Sequence, residues 1–203
     1  MKILQELTEF QCKNELKSLN TNVLGRNYIC FDEIDSTQKE IWRQIESKNI
    51  KNGLLIRAKR QTSGIGTHGR IWYLTENNIT FSFYIELNCN IEKIKGITTE
   101  IANVIIRIIQ EKYNVKVDIK LPNDLYINGK KLGGILTESK VRGDIAKFVV
   151  IGIGINNSQM RFNNELENIA TSLKKEYGIV LDVEDFIAEF CNKLEKIILK
   201  RIG

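Results

Sequence analysis

Apolar and polar positions along the chain predict strands through much of its length. Short apolar runs at Asn27 to Phe31 and Gly53 to Ala58 are typical of strands, and large apolar residues alternate with small or polar ones from Ile79 to Leu87. Four more short strands are expected, at Val115 to Leu121, Asp124 to Ile127, Lys131 to Glu138 and Phe148 to Ile153. The dipeptide Asn128-Gly129 predicts a tight hairpin turn between the second and third of these four.

Helical spacing occurs in fewer places. Apolar residues three and four apart from Ile91 to Tyr113 predict a helix that lies on a sheet, and the same spacing occurs at Ile169 to Tyr177 and Val183 to Ile202. An earlier helix is expected around Ile41 and Ile45, after a strand and the capping residues Asp35, Ser36 and Thr37. Neighbouring strands broken by a few helices predict an α+β domain with a mixed, largely antiparallel sheet flanked by helices.

Composition agrees with one folded domain. The 203 residues are 42% hydrophobic and 27% charged with both signs interspersed, so we expect a single domain over residues 1–203. The net charge of +5 suits an anionic ligand, but the lysines form no basic arm, and no DNA binding is expected. Glu6 and Glu9 interrupt the apolar core that a signal peptide needs, and no run reaches the roughly 18 apolar residues of a membrane span. A soluble, cytoplasmic protein is expected.

The cysteines do not predict a metal site or a disulfide framework. Cys12, Cys30, Cys89 and Cys191 lie far apart, no CxxC pair occurs, and His68 is the only histidine in the sequence. We therefore expect four reduced thiols that are at least partly buried.

The segment from Gln61 to Trp72, QTSGIGTHGRIW, is the most informative for function. Its closely spaced glycines leave backbone amides free to approach an anion, and Arg70 adds a positive charge. It is not a Walker loop, because no GK[ST] follows, and it is not a dinucleotide fingerprint, because it enters a strand. On these residues alone, a flexible surface turn is the alternative.

Two later segments carry oxygen donors and a lysine. Asn123 and Asp124 of KLPND are oxygen donors of the kind that Mg2+ accepts, and Lys131 after the hairpin would meet a carboxylate or an α-phosphate. The apolar segment VVIGIGINN ends in the paired amides Asn156 and Asn157, and an amide side chain such as that of Asn156 can read a purine edge. A stiffened turn with solvated lysines, and a buried strand with a turn, are the structural alternatives.

Taken in this order, the segments resemble the biotin protein ligase family. That family carries a GRGRxGRxW-type loop, a KWPND motif, a KxxGIL strand, a GIGIN strand end and a DST motif, which here is Asp35 to Thr37. The resemblance runs from about Tyr28 to the C-terminus. It implies a fold related to class II aminoacyl-tRNA synthetases. It also implies an enzyme that makes biotinyl-5'-AMP from biotin, ATP and Mg2+ and transfers the biotin to a lysine of the biotin carboxyl carrier protein of acetyl-CoA carboxylase.

The resemblance also implies a role for each matching residue. The biotin site would contain Ser36, Thr37, Gln61, Gly64, Trp72, Lys131 and Gly134. The nucleotide would be bound by Arg70, Trp72, Asn123 and Asn156. The Mg2+ ion would be held by Asn123 and Asp124. Catalysis would depend on Lys131, Arg70 and Asp124, with Lys131 stabilising the charge that grows as the biotin carboxylate attacks the α-phosphate.

The chain departs from the family pattern in its motifs and in its extent. Ile65 and Thr67 stand where two arginines usually help to close the loop over the adenylate, and Leu121 stands where tryptophan is usual. His68 and Lys120 restore positive potential but not the bidentate geometry of guanidinium. About 27 residues precede the first strand and helices follow the last, so we expect a catalytic domain without the N-terminal helix-turn-helix domain or the C-terminal β-barrel.

Two other functions are left open by the sequence. Lipoate and other acyl-protein ligases share the implied fold, although Ser36, Thr37 and Gln61 favour a polar ureido head over an alkyl chain. A non-catalytic biotin-binding homologue is the second alternative, and it would not need the retained Lys131 and Asp124. A homodimer is left open beside the monomer.

Overall fold

The computed structural model describes residues 16–72 and 78–203, which form one sheet with helices on both faces. The strands are β1 Asn27–Ile34, β2 Leu54–Gln61, β3 Ile79–Asn90, β4 Asp118–Lys120, β5 Asp124–Ile127, β6 Lys130–Arg142 and β7 Ile145–Ile155. The α-helices are α1 Thr37–Glu46, α2 Ile97–Tyr113, α3 Leu173–Tyr177 and α4 Val183–Ile202. The expectations about a signal peptide at Met1 to Phe10 and about Cys12 concern residues outside the described ones.

The seven strands are ordered β1-β2-β3-β7-β6-β5-β4. β1 and β2 are parallel, and the other neighbouring pairs of these strands are antiparallel. Parallel neighbours need a crossover connection, and helix α1 supplies it between β1 and β2. Tight turns join β5 to β6 and β6 to β7. The predicted α+β fold with a mixed, largely antiparallel sheet is confirmed.

The hairpin turn predicted at Asn128-Gly129 joins β5 to β6. Both residues have positive φ values, 50° and 76°, which is the backbone conformation that a type I′ turn requires. Strands β6 and β7 run further than predicted, because their pairing continues through polar residues such as Lys140, which lies opposite Phe148. Local composition underestimates the length of a strand when hydrogen bonds to a neighbouring strand extend it through polar residues.

Two helix starts differ from the prediction. The helix expected from Ile91 begins at Ile97, because a 3-10 turn at Ile91–Ile94 and Gly96 with φ of 74° come first. The helix expected from Ile169 begins only at Leu173, because Ala170 forms a parallel bridge with Lys131. In both places the apolar spacing is present, but tertiary contacts set the boundary.

The core has two parts, one on each face of the sheet. On one face, Phe81 and Phe83 of β3 pack edge-on or tilted against Phe190 of α4, with ring centroids 5.4 and 5.9 Å apart, and α2 completes this main core. On the other face, α1 covers a smaller cluster that includes Ile41 and Tyr84. Among the helices within residues 16–72 and 78–203, none has the length and apolar character needed to cross a membrane.

The cysteines agree only in part with the expectation of reduced thiols. Cys89 and Cys191 are free and buried, and burial raises the pKa of the Cys191 thiol. Cys30 is disulfide-bonded, so the expectation is wrong at that position. A disulfide requires two Cα atoms to approach within roughly 7 Å, and sequence spacing alone does not show that approach.

Candidate active site

A cavity lies on the α1 face of the sheet, beside the N-terminus of that helix. Its floor consists of small residues at alternate positions of three neighbouring strands, namely Thr80 and Ser82 of β3, Gly152 and Gly154 of β7, and Gly134 of β6. Alternate residues of a strand point to the same face, so these positions lie opposite the main core. Because they fill little volume, the floor is recessed, and the cavity contains about 460 Å³ of space, part of it open to solvent.

The N-terminus of α1 supplies polar groups at one side of the cavity. Ser36 is the N-cap residue of the helix. The N–H and hydroxyl of Thr37 donate to Gln61 Oε1 at 2.7 and 3.1 Å, and the hydroxyl lies 2.8 Å from Ser82 Oγ. Because these donors occupy Gln61 Oε1, the amide nitrogen of Gln61 is the group left to bind a ligand. The structure thus brings Ser36, Thr37 and Gln61 together, as the sequence predicts.

Asp35 anchors the start of α1 and does not line the cavity. Its carboxylate accepts hydrogen bonds from the Ser36 N–H at 2.7 Å and from two nitrogens of Arg43 at 2.7 and 3.1 Å. The hydrogen bonds from Arg43 hold the pKa of the Asp35 carboxyl below its ordinary value. Ionised Asp35 therefore fixes the backbone from which Ser36 and Thr37 project.

The segment from Gly64 to Trp72 is a short hairpin that forms one wall of the cavity. The Trp72 N–H donates to Gly64 O at 2.9 Å, and Ile65 pairs with Ile71. The hairpin residues that line the cavity are Ile65, Gly66, Thr67 and Trp72. Ile65 and Thr67, the two positions that lack the expected arginines, therefore both border the ligand space.

Trp72 and Arg70 have different positions in this hairpin. The indole ring of Trp72 lies against the backbone of Gly154, where an added Cβ atom would be 2.4 Å from a ring carbon. Its Nε1 is buried and finds no hydrogen-bond acceptor within residues 16–72 and 78–203. Arg70 is exposed outside the cavity lining, and its guanidinium donates to the carbonyl and hydroxyl oxygens of Thr67 at 3.2 and 3.0 Å.

Lys131 and Asp124 border the cavity from the neighbouring strands β6 and β5. Lys131 Nζ lies 2.8 Å from Asp124 Oδ1, and the two side chains are only 28% and 18% exposed. Asn123 Nδ2 donates to Ile135 O at 3.1 Å, which leaves the Asn123 amide oxygen as an acceptor. A cation and two oxygen donors thus stand on the side of the cavity away from α1, with β3 and β7 between them and Gln61.

The oxygen donors of Asn123 and Asp124 fit a Mg2+ ion that is shared with a nucleotide. The described residues contain no group of three or more His, Cys, Asp or Glu side chains that would hold a metal ion by themselves. Mg2+ is usually bound by one or two carboxylates together with phosphate oxygens and waters, so a two-residue set suits it.

Two predicted residues lie behind the cavity wall. Gly64 is buried, and an added Cβ atom would come within 2.6 Å of Trp72 O and 2.7 Å of Gln61 Nε2, so only glycine fits there. Asn156 is also buried, and its Nδ2 donates to Thr171 O at 3.0 Å. Contact of either residue with a ligand stays a prediction.

The structure adds cavity residues that the sequence did not single out. They include Gln38, Thr80, Ser82, Leu136, Gly152 and Gly154. The alternation in ITFSF and in GIGI was a signal for the small residues, because it places them on one face of each strand. Gln38 gave no comparable signal, since a polar residue in the first turn of a helix is ordinarily solvated.

Comparisons with known proteins give the chain its family. A family model described as the Biotin/lipoate A/B protein ligase family matches residues 30–156, a range that contains every residue of the cavity lining. The chain belongs to the biotin/lipoate A/B protein ligase family. The family predicted from the motifs is confirmed.

Within this family, the chain is similar to curated ligases of bacteria and humans. The bifunctional ligase/repressor BirA of Bacillus subtilis is 38% identical over 167 residues, which cover 81% of this chain and 51% of that protein. The biotin–protein ligase of Homo sapiens is 25% identical over 193 residues, which cover 90% of this chain and 26% of that protein. The chain spans about half the length of the bacterial relative.

A solved family structure is similar over most of the fold. The biotin protein ligase from Aquifex aeolicus, in complex with biotin and ATP, has a TM-score of 0.72 to this chain at 27% identity. The similarity covers 87% of this chain and 72% of that one.

Proposed function

We propose that the chain is the catalytic domain of a cytoplasmic biotin protein ligase. It joins biotin to ATP as biotinyl-5'-AMP and transfers the biotin to a lysine of a biotin carboxyl carrier protein. The observation that carries this proposal is one cavity with neutral polar groups at one side and the Lys131–Asp124 pair at the other. Biotin has a urea at one end and a carboxylate at the other, which matches the two sides.

The urea end of biotin binds at the N-terminus of α1. Ser36, Thr37 and Gln61 present hydroxyl and amide groups there, and each of these residues is more than nine-tenths buried. Hydrogen bonds in such a site discriminate well, because a ligand that lacks the matching groups leaves buried polar atoms unpaired. The bicyclic ring of biotin lies on the floor, with Gly134 of β6 and Trp72 of the hairpin beside it.

The carboxylate end of biotin binds at Lys131. The Lys131 ammonium neutralises the carboxylate as it approaches the nucleotide and stabilises the negative charge that accumulates on the α-phosphate. Asn123 and Asp124 supply the oxygen ligands for Mg2+, which when bound neutralises phosphate charge and orients the pyrophosphate. Trp72 borders the adenylate, whereas Arg70 and Asn156 lie outside the cavity lining, and contact of either one with the phosphates or the adenosine stays a prediction.

The reaction proceeds in two transfers without a covalent enzyme intermediate. A carboxylate oxygen of biotin attacks the α-phosphorus of ATP in line, the bond from that phosphorus to the bridging oxygen breaks, and pyrophosphate leaves. The uncharged ε-amine of a carrier lysine then attacks the acyl carbon, an amide forms, AMP leaves, and the amine loses a proton. Positioning and charge neutralisation supply most of the acceleration.

Particular side chains in the cavity distinguish this function from two other candidate functions. A lipoate ligase of the same family would place a dithiolane or an alkyl chain where Thr37 and Gln61 present polar atoms. A non-catalytic biotin-binding homologue would not need a lysine and a carboxylate 2.8 Å apart at the acid end.

Pyrophosphate release from the purified chain tests the proposal. With ATP and Mg2+, we expect release that depends on biotin and not on lipoate or octanoate. Biotin on the lysine of an added carrier domain is then expected by mass spectrometry. Release that depends on lipoate would support the acyl ligase instead, and biotin binding in calorimetry without any release would support the non-catalytic homologue.

A further inference from the structure

Neighbouring strands alone do not fix the backbone of Lys131 on both sides. Lys131 lies opposite Tyr126 of β5, and the register between β5 and β6 shifts directly beside this pair. On the other side, the pairing of β6 with β7 begins only at Gly133. An irregularity of this kind changes the direction of side chains locally. The direction of the Lys131 side chain therefore depends on a further support.

A segment of the connection between β7 and α3 takes the place of a strand beside Lys131. The Lys131 N–H donates to Ile169 O at 2.8 Å, and the Thr171 N–H donates to Lys131 O at 2.9 Å. These two bonds form the parallel bridge between Lys131 and Ala170, and Thr171 is fully buried. The position of the Lys131 backbone thus follows the position of residues 169–171.

Glu176 of α3 binds this segment and the β5–β6 turn at the same time. Its Oε1 accepts from the Thr171 hydroxyl at 2.6 Å, and its Oε2 accepts from Asn128 Nδ2 at 2.7 Å. The hydrogen bond from Thr171, together with that from Asn128, holds the pKa of the Glu176 carboxyl below its ordinary value of 4.5. Both oxygens of Glu176 are therefore acceptors at neutral pH.

These contacts form a closed ring that includes Lys131. Asn128 lies in the tight turn that joins the strand of Asp124 to the strand of Lys131. Thr171 holds Lys131 from the side away from β5, and Glu176 connects Thr171 to Asn128. Glu176 does not line the cavity. It thus connects the two supports of the Lys131–Asp124 pair without touching the ligand space.

We propose that Glu176 is a positioning residue that acts through Lys131. By fixing the turn at Asn128 and the segment at Thr171, it keeps the Lys131 ammonium directed into the cavity. The inference rests on the proposed function, in which Lys131 stabilises the charge of the transition state. A misplacement of about 1 Å can lower a rate roughly a hundredfold, so the loss of this support should slow adenylation.

The first measurement separates kcat from KM in biotin-dependent pyrophosphate release. Glu176→Ala should lower kcat about tenfold and leave the KM for biotin within about threefold of the wild-type value, because Lys131 acts mainly as the transition state forms. Glu165→Ala is the matched control. It removes an exposed glutamate that does not line the cavity, and it should leave both constants unchanged. An unchanged kcat in folded Glu176→Ala would refute the inference.

The conservative variant Glu176→Gln should restore kcat to within about threefold of the wild-type value. Its amide oxygen can accept from Thr171, and its NH2 group can donate to the Asn128 side-chain oxygen once that amide turns over. A Glu176→Gln variant as slow as Glu176→Ala would show that the charge of Glu176, and not its two contacts, is what matters, and the positioning role would be wrong.

A double-mutant cycle with Lys131 distinguishes positioning from a general loss of structure. In the Lys131→Ala background, Glu176→Ala should change the single-turnover rate of adenylation by less than about threefold, because the group that Glu176 positions is gone. A structural effect that does not pass through Lys131 would lower the rate about tenfold in both backgrounds and would overturn the inference.

Two further variants serve if Glu176→Ala does not fold. Thr171→Val removes one of the two hydrogen bonds, and Asn128→Gly removes the other while it keeps the positive φ that the turn needs. At least one of them should lower kcat about threefold or more and lose this effect in the Lys131→Ala background. Wild-type release together with unchanged kcat in both variants would refute the role of Glu176 and leave the proposed function standing. No biotin-dependent release from the wild type would refute the proposed function itself.

Discussion

Lys131 is held in the cavity by its ion pair with Asp124. The 2.8 Å contact is partly shielded from water, so it orients the ammonium more firmly than a fully exposed pair would. Both groups border the cavity, Asp124 from β5 and Lys131 from β6, at the side where the carboxylate of a bound acid and the α-phosphate of a nucleotide would meet. The lysine is thus oriented before any ligand arrives.

Replacing Lys131 by alanine should slow adenylation severely and leave the fold intact. Its positive charge is needed most as the transition state forms, so its loss should raise the barrier by about 2–4 kcal/mol. Biotin-dependent pyrophosphate release measures the effect. Lys130→Ala is the matched control, because that lysine precedes it on β6 and does not line the cavity. A Lys131→Ala variant that turns over at nearly the wild-type rate would show that the proposed role is wrong.

At the scale of elements, the hairpin from Gly64 to Trp72 forms one wall of the cavity. It is held by backbone bonds, by the pairing of Ile65 with Ile71 and by Trp72 against Gly154, and its tip turns through His68 at a φ of 59°. An apolar and a hydroxyl side chain border the ligand from this wall in place of two charges. Fewer charged hydrogen bonds are then available to retain an adenylate.

Biotinyl-5'-AMP should therefore leave this chain faster than it leaves family members that have both arginines. Each missing charged hydrogen bond removes roughly 1.5–3 kcal/mol from retention. Free adenylate acylates exposed lysines, so serum albumin incubated with the chain, biotin and MgATP should become biotinylated. The double variant Ile65→Arg and Thr67→Arg should suppress this labelling while transfer to the carrier continues.

The control for charge alone is the double variant Thr62→Arg and Ser63→Arg. These exposed residues precede the hairpin and do not line the cavity, so bystander labelling should persist in that variant. If the wild type biotinylates the carrier but does not label albumin, then residues other than Ile65 and Thr67 retain the adenylate, and the prediction is wrong.

At the scale of the whole molecule, Glu195 of α4 ties the C-terminal helix to the segment before β1. Its carboxylate accepts from the backbone N–H groups of Asn22, Val23 and Leu24 at 2.7, 2.8 and 2.9 Å. Burial alone would raise the pKa of Glu195, but these donors and the positive charge of Arg26 outweigh it and lower the pKa below the ordinary value of 4.5. The ionised carboxylate of Glu195 thus links the two ends of the described fold.

Glu195→Gln should destabilise the chain by about 2–3 kcal/mol at pH 7, because the amide keeps one acceptor and turns an NH2 group toward backbone donors. The folded-state pKa is lowered, so the stability that Glu195 contributes is present above pH 4.5 and is lost as the pH falls through the lowered pKa. Urea unfolding at pH 7 and pH 3 measures it, and the difference between wild type and variant should shrink at pH 3. Glu189→Gln, which removes only surface pairs with Lys112 and Lys193, should change stability by less than about 1 kcal/mol.

The sequence by itself determined the class of fold, most strand positions and the family. These features depend on local spacing: the period of two in β3, the turn chemistry of Asn128-Gly129 and the order of the motifs around Gln61, Asp124 and Asn156 can all be read along the chain. The resemblance to the family, and not the spacing, predicted which residues would gather at the two ends of the cavity.

Only the tertiary structure decided which of these side chains face the ligand space. Asp35 became an anchor for α1, Gly64 and Asn156 lie behind the wall, and Gln38 turned out to be buried at the floor. Asp35 and Gly64 are placed by neighbours in the same segment of chain, whereas Gln38 is placed by a contact between elements far apart in sequence, its bond to Glu138 across 100 positions. Such contacts leave no periodic trace along the chain, because they are fixed by the packing of α1 on the sheet.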